Sequence, residues 1–402
     1  MGYPARGATV RSKADQPDHN RAGSESIETS VADLQLPETV LVTGFPGFIA
    51  RRLVAKILAS DTIARVYLVC QPGPAEQARE FLAGLPGQHG ERAELVIGDA
   101  ADMDLGLAGS EYCNLAGEVT TIHHLSGSEP AVSDRHLARR LDVGGTRGII
   151  ELAEGCTGLR RLCHWSTAAV SGKRKGIILE EELDEGQSFH SIHEETKFQA
   201  EKLAQFAGRR LPVTVFRPGI VIGDSKSGEF DKLDGPHYLM FLIATNPTQV
   251  SLPLPGRGSR PLNLTPVDYV VDAAYALSRD ERAAGKTFHL TDPNPLSARR
   301  IYELVAEHSH TKPPRGYIPG RITRSLLRVP GLEDLARGPL SFLDALDHHA
   351  VYNCRLTQEL LADSGLRCPP FDSYVDKIIH RIRELQEIQQ QPSEDDDYDA
   401  LD

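Results

Sequence analysis

The stretch Val40-Leu41-Val42-Thr43-Gly44-Phe45-Pro46-Gly47-Phe48-Ile49-Ala50 decides the fold of this chain. A short apolar run ends in a glycine turn, and an apolar helical pattern begins at once at Phe48. Gly44 allows a sharp turn, and Gly47 allows the backbone to approach a pyrophosphate, which the N–H groups of the following helix would face. The stretch therefore predicts the strand–turn–helix of a dinucleotide-binding βαβ unit.

Composition places the chain among globular proteins with ample material for a core. It has 402 residues, of which 40% are hydrophobic and 25% charged. No apolar run reaches 18 residues and the N-terminus lacks the apolar core of a signal peptide, so neither a membrane span nor a leader is expected. The six cysteines show no C-x-x-C pair. In a chain of this length they predict reduced thiols in a cytoplasmic protein.

Both ends of the chain are polar. Residues 1–36 are rich in Ser, Asp, Arg, Gly and Pro without apolar periodicity, which predicts a disordered tail. Residues 386–402 form a second predicted tail, and the ten residues after Pro392 hold six acids against a net charge of −12. The second tail is expected to be solvated, with a partner-binding role left open. The overall acidity argues against nucleic acid as a ligand.

Between the tails, residues 37–385 alternate short apolar runs with helical patterns. This alternation predicts an α/β fold, a doubly wound parallel (Rossmann) sheet with its ligand at the carboxyl ends of the strands. The second half is less regular, and a smaller α/β substrate lobe is expected mainly from about 224–385. The predicted strands are 40–42, 64–69, 94–97, 120–125, 161–165 and 213–217.

Six motifs occur in order and with plausible spacing. They are Thr43–Ala50, Gly98-Asp99 with Asp104–Leu107, Asp142–Thr146, Trp165–Gly172, Glu194–Glu201 and Phe216–Gly219. Over about 38–385 the chain resembles the extended short-chain dehydrogenase/reductase (SDR) family, most closely its thioester-reductase and fatty-acyl-CoA-reductase (male-sterility-like) branch. The resemblance implies NAD(P)-dependent hydride transfer to a small acyl or carbonyl substrate, possibly bound to CoA or to a carrier.

The resemblance also implies the catalytic residues. Thr167 aligns with the family's Ser/Thr, which binds the substrate carbonyl oxygen, and Lys197 with the lysine that bonds the ribose hydroxyls. The family's acid is a tyrosine four residues before that lysine, but here the position is His193, and no tyrosine lies between Lys175 and Lys197. Either His193 replaces tyrosine as the proton donor, with Lys197 lowering its pKa, or the site has lost its chemistry.

The cofactor residues follow from the same resemblance, with Asp99 placed to accept a bond from the adenine amine. The second predicted strand ends Val69-Cys70-Gln71-Pro72, without the acid that NAD sites often place on the ribose 2′-hydroxyl. Arg51 and Arg52 could instead bind a 2′-phosphate, which favours NADP(H) over NAD(H). The implied set is Thr43, Gly44, Phe45, Pro46, Gly47, Phe48, Ile49, Arg51, Arg52, Asp99, Leu125, Ser126, Lys197, Pro218, Gly219 and Ile220.

Other interpretations stay open at this point. The chain could be a catalytically impaired NAD(P)-binding sensor or scaffold, or a sugar or steroid dehydrogenase or epimerase of the same fold. The basic segment 312–329 could be an ordinary amphipathic helix of the lobe, or could meet the phosphates of CoA, a phosphopantetheine carrier or an anionic membrane surface. Paired histidines at 123–124 and 348–349 do not indicate a metal, because neighbours on a strand point to opposite faces.

Overall fold

A parallel sheet organises the computed structural model, which describes residues 38–87, 89–233, 235–246, 251–319, 346 and 349–390. The strands are β1 Glu38–Thr43, β2 Ile63–Cys70, β3 Ala93–Ile97, β4 Thr121–His124, β5 Arg161–Trp165, β6 Gly176–Ile178, β7 Val213–Pro218, β8 Ile220–Ile222, β9 Leu254–Pro255, β10 Leu264–Pro266, β11 Thr287–Leu290, β12 Tyr317–Ile318 and β13 Ala350–Tyr352. Seven of them form one parallel sheet in the order β11-β7-β5-β4-β1-β2-β3. The predicted doubly wound fold is confirmed.

Helices cover both faces of this sheet. They are α1 Phe48–Leu58, α2 Ala75–Ala83, α3 Gly109–Glu118, α4 Arg135–Arg139, α5 Gly145–Gly155, α6 Ile192–Ala207, α7 Gly235–Ala244, α8 Val267–Arg279, α9 Ala298–Ser309, α10 Arg355–Leu361 and α11 Val375–Gln390. Val40 and Val42 of β1 pack in the core under α1 and α8, whereas Leu41 packs under α3 and α5. This alternation follows from the period of two along a strand. Within the described ranges, the helices are too short or too polar to cross a bilayer.

The strand order fixes where a ligand can bind. From β1 the chain first builds outward through β2 and β3, and then returns to place β4 on the other side of β1. The loops that follow β1 and β4 therefore diverge, and they open a crevice at the carboxyl ends of these strands. Thr43 ends β1 and pairs in register with His124 at the end of β4.

The sequence suggested a substrate lobe mainly from about 224–385, and one stretch within these bounds packs elsewhere. Residues 267–290 return to the main unit, because α8 packs against α1 and β11 extends the sheet beside β7. β11 was not predicted, because it lies in the second half of the sequence, where the alternation of strand and helix patterns is less regular. A second core forms the lobe, from α7, α9, α11 and the strands β8 to β10.

Two further boundaries differ from expectation. Residues 312–319 contain β12, which pairs with β9, so a helix over 312–329 is wrong for the described part of that segment. The last helix starts at Val375, after a 3-10 turn at Phe371–Ser373, and continues to Gln390, beyond the predicted start of the acidic tail at 386. Residues 1–36 and 391–402 lie outside the described residues.

A buried ion pair ties helix α6 to strand β7. Arg217 is 1% exposed, and its Nη2 lies 2.6 Å from Oε1 of Glu201, which is fully buried on α6. Glu201 also accepts a bond from Ser166 at the end of β5, and Arg217 donates to the carbonyl oxygen of Glu182. The buried charges are thus paired and hydrogen-bonded, as burial requires. They hold α6, which carries His193 and Lys197, against the sheet.

Replacing Arg217 with methionine should lower the free energy of unfolding by about 3–5 kcal/mol, because Glu201 would remain as an unpaired buried charge. Urea denaturation measures this change. Arg210→Met is the matched control, since Arg210 pairs with Glu154 at the exposed surface and should cost less than about 1 kcal/mol. Equal losses in the two variants would show that the buried pair does not anchor α6.

Candidate active site

A cleft of about 560 Å³ opens at the carboxyl ends of β1 and β4. Its floor is the loop after β4, which the β1 turn approaches closely: the N–H of Ser126 donates to Thr43 Oγ1 at 3.1 Å, and Thr43 Oγ1 lies 2.9 Å from His124 Nδ1. The cleft is lined by Gly44, Phe45, Pro46, Gly47, Phe48, Arg51, Val69, Gln71, Pro74, Gln77, Gly98, Asp99, Ala100, Leu125, Ser126, Gly127, Glu129, Val132, Leu141, Asp231 and Lys232. The crevice predicted from the strand order is therefore present as a defined volume.

The two glycines of the first turn are required by geometry. Gly44 has φ +79°, and a Cβ on it would lie 2.9 Å from the backbone nitrogen of Ser126. Gly47 precedes α1, and a Cβ there would lie 2.9 Å from the carbonyl oxygen of Gly44. Side chains at either position would therefore force the turn open. The unobstructed N-terminus of α1 leaves its first N–H groups available to an anion.

The sixteen residues assigned to the cofactor divide into two groups. Nine line the cleft: Gly44, Phe45, Pro46, Gly47, Phe48, Arg51, Asp99, Leu125 and Ser126. Seven do not: Thr43, Ile49, Arg52, Lys197, Pro218, Gly219 and Ile220. Thr43 does not line the cleft, but its hydroxyl accepts the N–H of Ser126 in the cleft floor. Gly219 follows the carboxyl end of β7, where its N–H donates to the carbonyl oxygen of Leu290 and its backbone lies close to the carbonyl oxygen of Asn263.

The two arginines after the turn point in different directions. Arg51 lines the cleft and lies 3.5 Å from Asp231 across its mouth. Arg52 turns toward the lobe, where it pairs with Asp224 at 2.7 Å and with Glu229 at 2.8 Å. Arg52 is thus already neutralised by two carboxylates. Of these two arginines, Arg51 is the one placed to meet an anion in the cleft.

Asp99 is held on the opposite wall by its own loop. Its Oδ1 accepts the N–H of Ala101, and its Oδ2 accepts a bond from Gln71 Nε2 at 2.9 Å. Gln71 follows β2 at the position where an acid was absent from the sequence, and it presents a neutral amide to the cleft. This wall therefore carries polar groups suited to an adenosine.

A buried polar cluster lies behind the cleft floor, and Asp142 is at its centre. Asp142 is 1% exposed and sits in a π-helical turn between α4 and α5. It accepts bonds from the N–H of Ser128 at 2.8 Å, Ser128 Oγ at 2.6 Å and Thr196 Oγ1 at 2.6 Å, while Lys197 Nζ lies 3.7 Å away. The sequence placed Asp142 in a motif without a role, and it did not single out Ser128, which follows Gly127 of the cleft floor.

His193 joins this cluster through Ser128, whose Oγ lies 3.2 Å from His193 Nδ1. Burial, and to a lesser extent the charge of Lys197, lower the pKa of His193 to about 4, while Asp142 and the backbone of Ser128 oppose both effects. The sequence anticipated the direction of the Lys197 effect. It could not show that burial is the larger cause, nor that a carboxylate lies nearby.

Thr167 lies at the end of β5, the strand beside β4. Its Oγ1 accepts the N–H of Ala169 at 3.2 Å and so caps the 3-10 turn Ala168–Ser171. Because a hydroxyl both accepts and donates, Thr167 keeps a proton that can be donated to a substrate oxygen. The structure links His193 and Lys197 through Asp142 and Ser128, and Thr167 stands apart from that network at the end of the neighbouring strand.

His123 and His124 are buried and hydrogen-bonded within the core. His123 Nδ1 accepts a bond from the Trp165 indole at 3.4 Å, whereas His124 bonds Thr43 and Thr146 on the other face of the sheet. Burial lowers the pKa of both imidazoles to about 3. Across the described ranges, His, Cys, Asp and Glu side chains form no group of three that could hold a metal. His348 lies outside those ranges.

Comparison with known proteins identifies similar chains. Residues 42–274 match the family described as male sterility protein. The chain is 29% identical over 318 residues to glycine betaine reductase ATRR of Emericella nidulans, covering 74% of this chain and 25% of that protein. It is 25% identical over 281 residues to fatty acyl-CoA reductase wat of Drosophila melanogaster, covering 60% and 54%. The chain thus spans a quarter to about half of these relatives.

Solved structures agree with the fold. The terminal R domain of the myxalamid PKS-NRPS pathway superposes with a TM-score of 0.74 at 26% identity, covering 89% of this chain and 92% of that domain. UDP-glucuronic acid 4-epimerase of Bacillus cereus, in complex with UDP-glucuronic acid and NAD, superposes with a TM-score of 0.63 at 16% identity, covering 86% and 99%. At that identity the epimerase is similar in fold alone.

Proposed function

We propose that this chain, which belongs to the male sterility protein family, is an NAD(P)-dependent reductase of an acyl thioester or a related carbonyl compound. One observation carries the proposal. Gly127 lines the cleft, and a Cβ on it would lie 2.4 Å from Lys197 Nζ and 2.7 Å from Asp142 Oδ1. A cleft and a buried cluster of titratable groups are therefore parts of one site, as expected of an active site.

The residues of the cleft fit a dinucleotide. The pyrophosphate would lie over Gly44 and Gly47 at the start of α1, where the backbone leaves room and N–H groups for an anion. Adenosine would lie along the wall of Asp99 and Gln71. The nicotinamide would then reach the floor at Gly127. When bound, the nicotinamide supplies the hydride; the chain's own side chains must bind the carbonyl oxygen and exchange the proton.

Three side chains would divide that work. Thr167 would donate a hydrogen bond to the carbonyl oxygen, where negative charge grows as hydride arrives. Lys197 would bind the ribose hydroxyls and add a positive field. His193 would give the carbonyl oxygen its proton during reduction and take it back during oxidation, because imidazole is the commonest general acid and base. With a thioester, the reduced carbon would break its C–S bond to give an aldehyde, and the leaving thiolate would take up the one proton that the reaction consumes.

Arg51 supports NADP(H) as the preferred cofactor. Its guanidinium can leave Asp231, 3.5 Å away at the exposed mouth, for a 2′-phosphate. Arg51→Ala should weaken NADPH binding roughly 10- to 100-fold, the scale of a hydrogen bond to a charged group, and should leave NADH binding unchanged. Titration of both cofactors measures this. Arg79→Ala is the control, since exposed Arg79 pairs with Glu76 on its own helix; equal weakening for NADPH and NADH in Arg51→Ala would count against the assignment.

The substrate class rests on the relatives. Reductases of fatty acyl-CoA and the R domain of a PKS-NRPS pathway support a small acyl or carbonyl substrate, bound to CoA or to a carrier. Contact of the basic segment 312–329 with phosphates or an anionic membrane stays a prediction, because most of that segment lies outside the described residues.

The six cysteines are free thiols, which supports the cytoplasm as the location.

The reaction can be tested with a panel of acetyl-, octanoyl- and palmitoyl-CoA, octanal and benzaldehyde in the presence of NADPH. We expect NADPH oxidation with at least one member, and one thiol released per thioester consumed. The alternative is a nucleotide-binding sensor without turnover, and the observation that favours it is the half-buried His193, whose pKa burial lowers to about 4. Tight NADPH binding with no oxidation across the panel would establish that alternative and overturn the proposal.

A further inference from the structure

Ser128 lies between the carboxylate and the imidazole of the buried cluster. It follows the cleft floor at Gly127 and is 6% exposed. Its Oγ lies 2.6 Å from Asp142 Oδ2 and 3.2 Å from His193 Nδ1. In the part of the chain that the structure describes, His193 Nδ1 has a side-chain partner, and Nε2 is not one of the buried side-chain atoms that lack a hydrogen bond. One ring nitrogen is therefore committed to the cluster and the other is available.

The single proton of the Ser128 hydroxyl decides the direction of both bonds. A carboxylate only accepts, and a bond to it is shorter and stronger than a bond to a neutral imidazole. The 2.6 Å separation from Asp142 is that of such a charge-assisted bond. Ser128 therefore donates to Asp142, and its lone pair is left to accept. The bond with His193 requires the imidazole to donate from Nδ1.

The geometry points to Ser128 as a positioning residue that keeps the proton of neutral His193 on Nδ1, so that Nε2 of the neutral ring carries no proton and donates one only after it has accepted one. The consequence for catalysis rests on the proposed function, whereas the tautomer itself does not. The arrangement resembles other sites in which a hydrogen bond to one ring nitrogen fixes the role of the second.

The charges around His193 agree with a neutral ring. Lys197 lies one turn later on the same helix, and Asp142 faces it from the π-helical turn. Of the remaining charged neighbours on α6, Glu194 bonds His190, and Glu195 pairs with Arg135 of α4. Burial and Lys197 together hold the pKa of His193 near 4, so the imidazolium is a minor species at neutral pH.

The lowered pKa of His193, together with Nε2 as the nitrogen that takes up the proton, determines which direction of the reaction depends on pH. Reduction of an aldehyde consumes one proton: carbonyl, NADPH and H⁺ give alcohol and NADP⁺. If the acid is the scarce imidazolium, the reduction rate falls about tenfold per pH unit above ~5, whereas alcohol oxidation starts from the abundant neutral base and stays level. A tyrosine acid with pKa ~10 gives the reverse, a level reduction and an oxidation that rises with pH.

The tautomer can be read directly in the cofactor-free chain by ¹⁵N NMR of its imidazoles at pH 7, with the His193 signals identified by their loss in His193→Gln. We expect Nδ1 protonated and Nε2 unprotonated in the parent. Ser128→Ala should give a mixture, and Ser128→Thr, which keeps the hydroxyl, should restore the parent pattern. An Nε2-protonated parent, or a parent pattern retained in Ser128→Ala, would overturn the inference.

A second test measures steady-state rates between pH 5 and 8, with octanal and NADPH for reduction and with 1-octanol and NADP⁺ for oxidation. We expect reduction to fall about tenfold per unit and oxidation to stay level, with Ser128→Thr close to the parent. A reduction rate that stays level and an oxidation rate that rises with pH would show that another group is the acid, and would overturn the role given to Nε2. If NADPH binds but neither substrate reacts, the proposed function fails, and the NMR result alone decides the role of Ser128.

Discussion

Replacing Gly47 with valine should abolish dinucleotide binding. Gly47 precedes α1, and even a Cβ there would lie 2.9 Å from the carbonyl oxygen of Gly44. The branched side chain would also occupy the space through which a pyrophosphate reaches the first N–H groups of the helix. We expect the dissociation constant for NADPH to rise at least ~100-fold, or about 2.8 kcal/mol, in a calorimetric titration.

A second glycine provides the matched control. Gly109 is the first residue of α3, and a Cβ there would meet nothing within 4 Å. Gly109→Val should therefore bind NADPH like the parent. Circular dichroism of both variants shows whether the fold is kept. If folded Gly47→Val binds NADPH with the parent's affinity, the cleft at β1 and β4 is not the nucleotide site.

Removing the imidazole of His193 should lower the rate of carbonyl reduction by about 100-fold or more, the usual scale for a positioned acid. Because the pKa of His193 is lowered to about 4, the donor is the minor protonated form, and the parent should be fastest on the acid side of neutrality. Steady-state rates of His193→Ala between pH 5 and 8 test this: the variant should lose both the rate and most of the pH dependence.

Tyrosine at the same position should restore or raise activity, because we expect Thr167 and Lys197 to take the roles that the family resemblance assigns to them. His190→Ala is a suitable control, since that histidine bonds Glu194 one turn later and has no place in the proposed reaction; its rate should stay within about twofold of the parent. NADPH affinity should be unchanged in each variant. Equal activity of the parent and His193→Ala would remove His193 from the mechanism.

Much of the fold could be predicted because periodicity and turn residues are local signals. Six of the seven strands of the main sheet were placed, since each is a short apolar run between helical patterns. β11 was missed because Thr287–Leu290 lies in the less regular half of the sequence and becomes a strand by pairing with β7. The same pairing removes residues 267–290 from the substrate lobe. A pairing between strands that are far apart in the chain cannot be predicted from the residues of one strand alone.

The candidate site was predicted unevenly for a similar reason. The sequence identified Gly44, Gly47 and Lys197 from their motifs, but it could not distinguish Arg51 from Arg52. Only packing shows that Arg52 is neutralised by Asp224 and Glu229 of the lobe. The contacts of Ser128 with Asp142 and His193 join three segments that are far apart in the chain. The tautomer of His193 depends on these contacts and therefore could not be predicted from the sequence.

The most direct test of the account follows the hydride itself. The parent would be incubated with NADPH carrying deuterium at C4 of the nicotinamide, in turn on each face, together with octanoyl-CoA or octanal, and the products analysed by mass spectrometry. We expect one deuterium per reduction step, from one face only, on the former carbonyl carbon: one in octanal formed from octanoyl-CoA or in 1-octanol formed from octanal, and two in 1-octanol formed from octanoyl-CoA. Bound NADPH that transfers no deuterium to either substrate would contradict the claim that this cleft is the active site of a reductase.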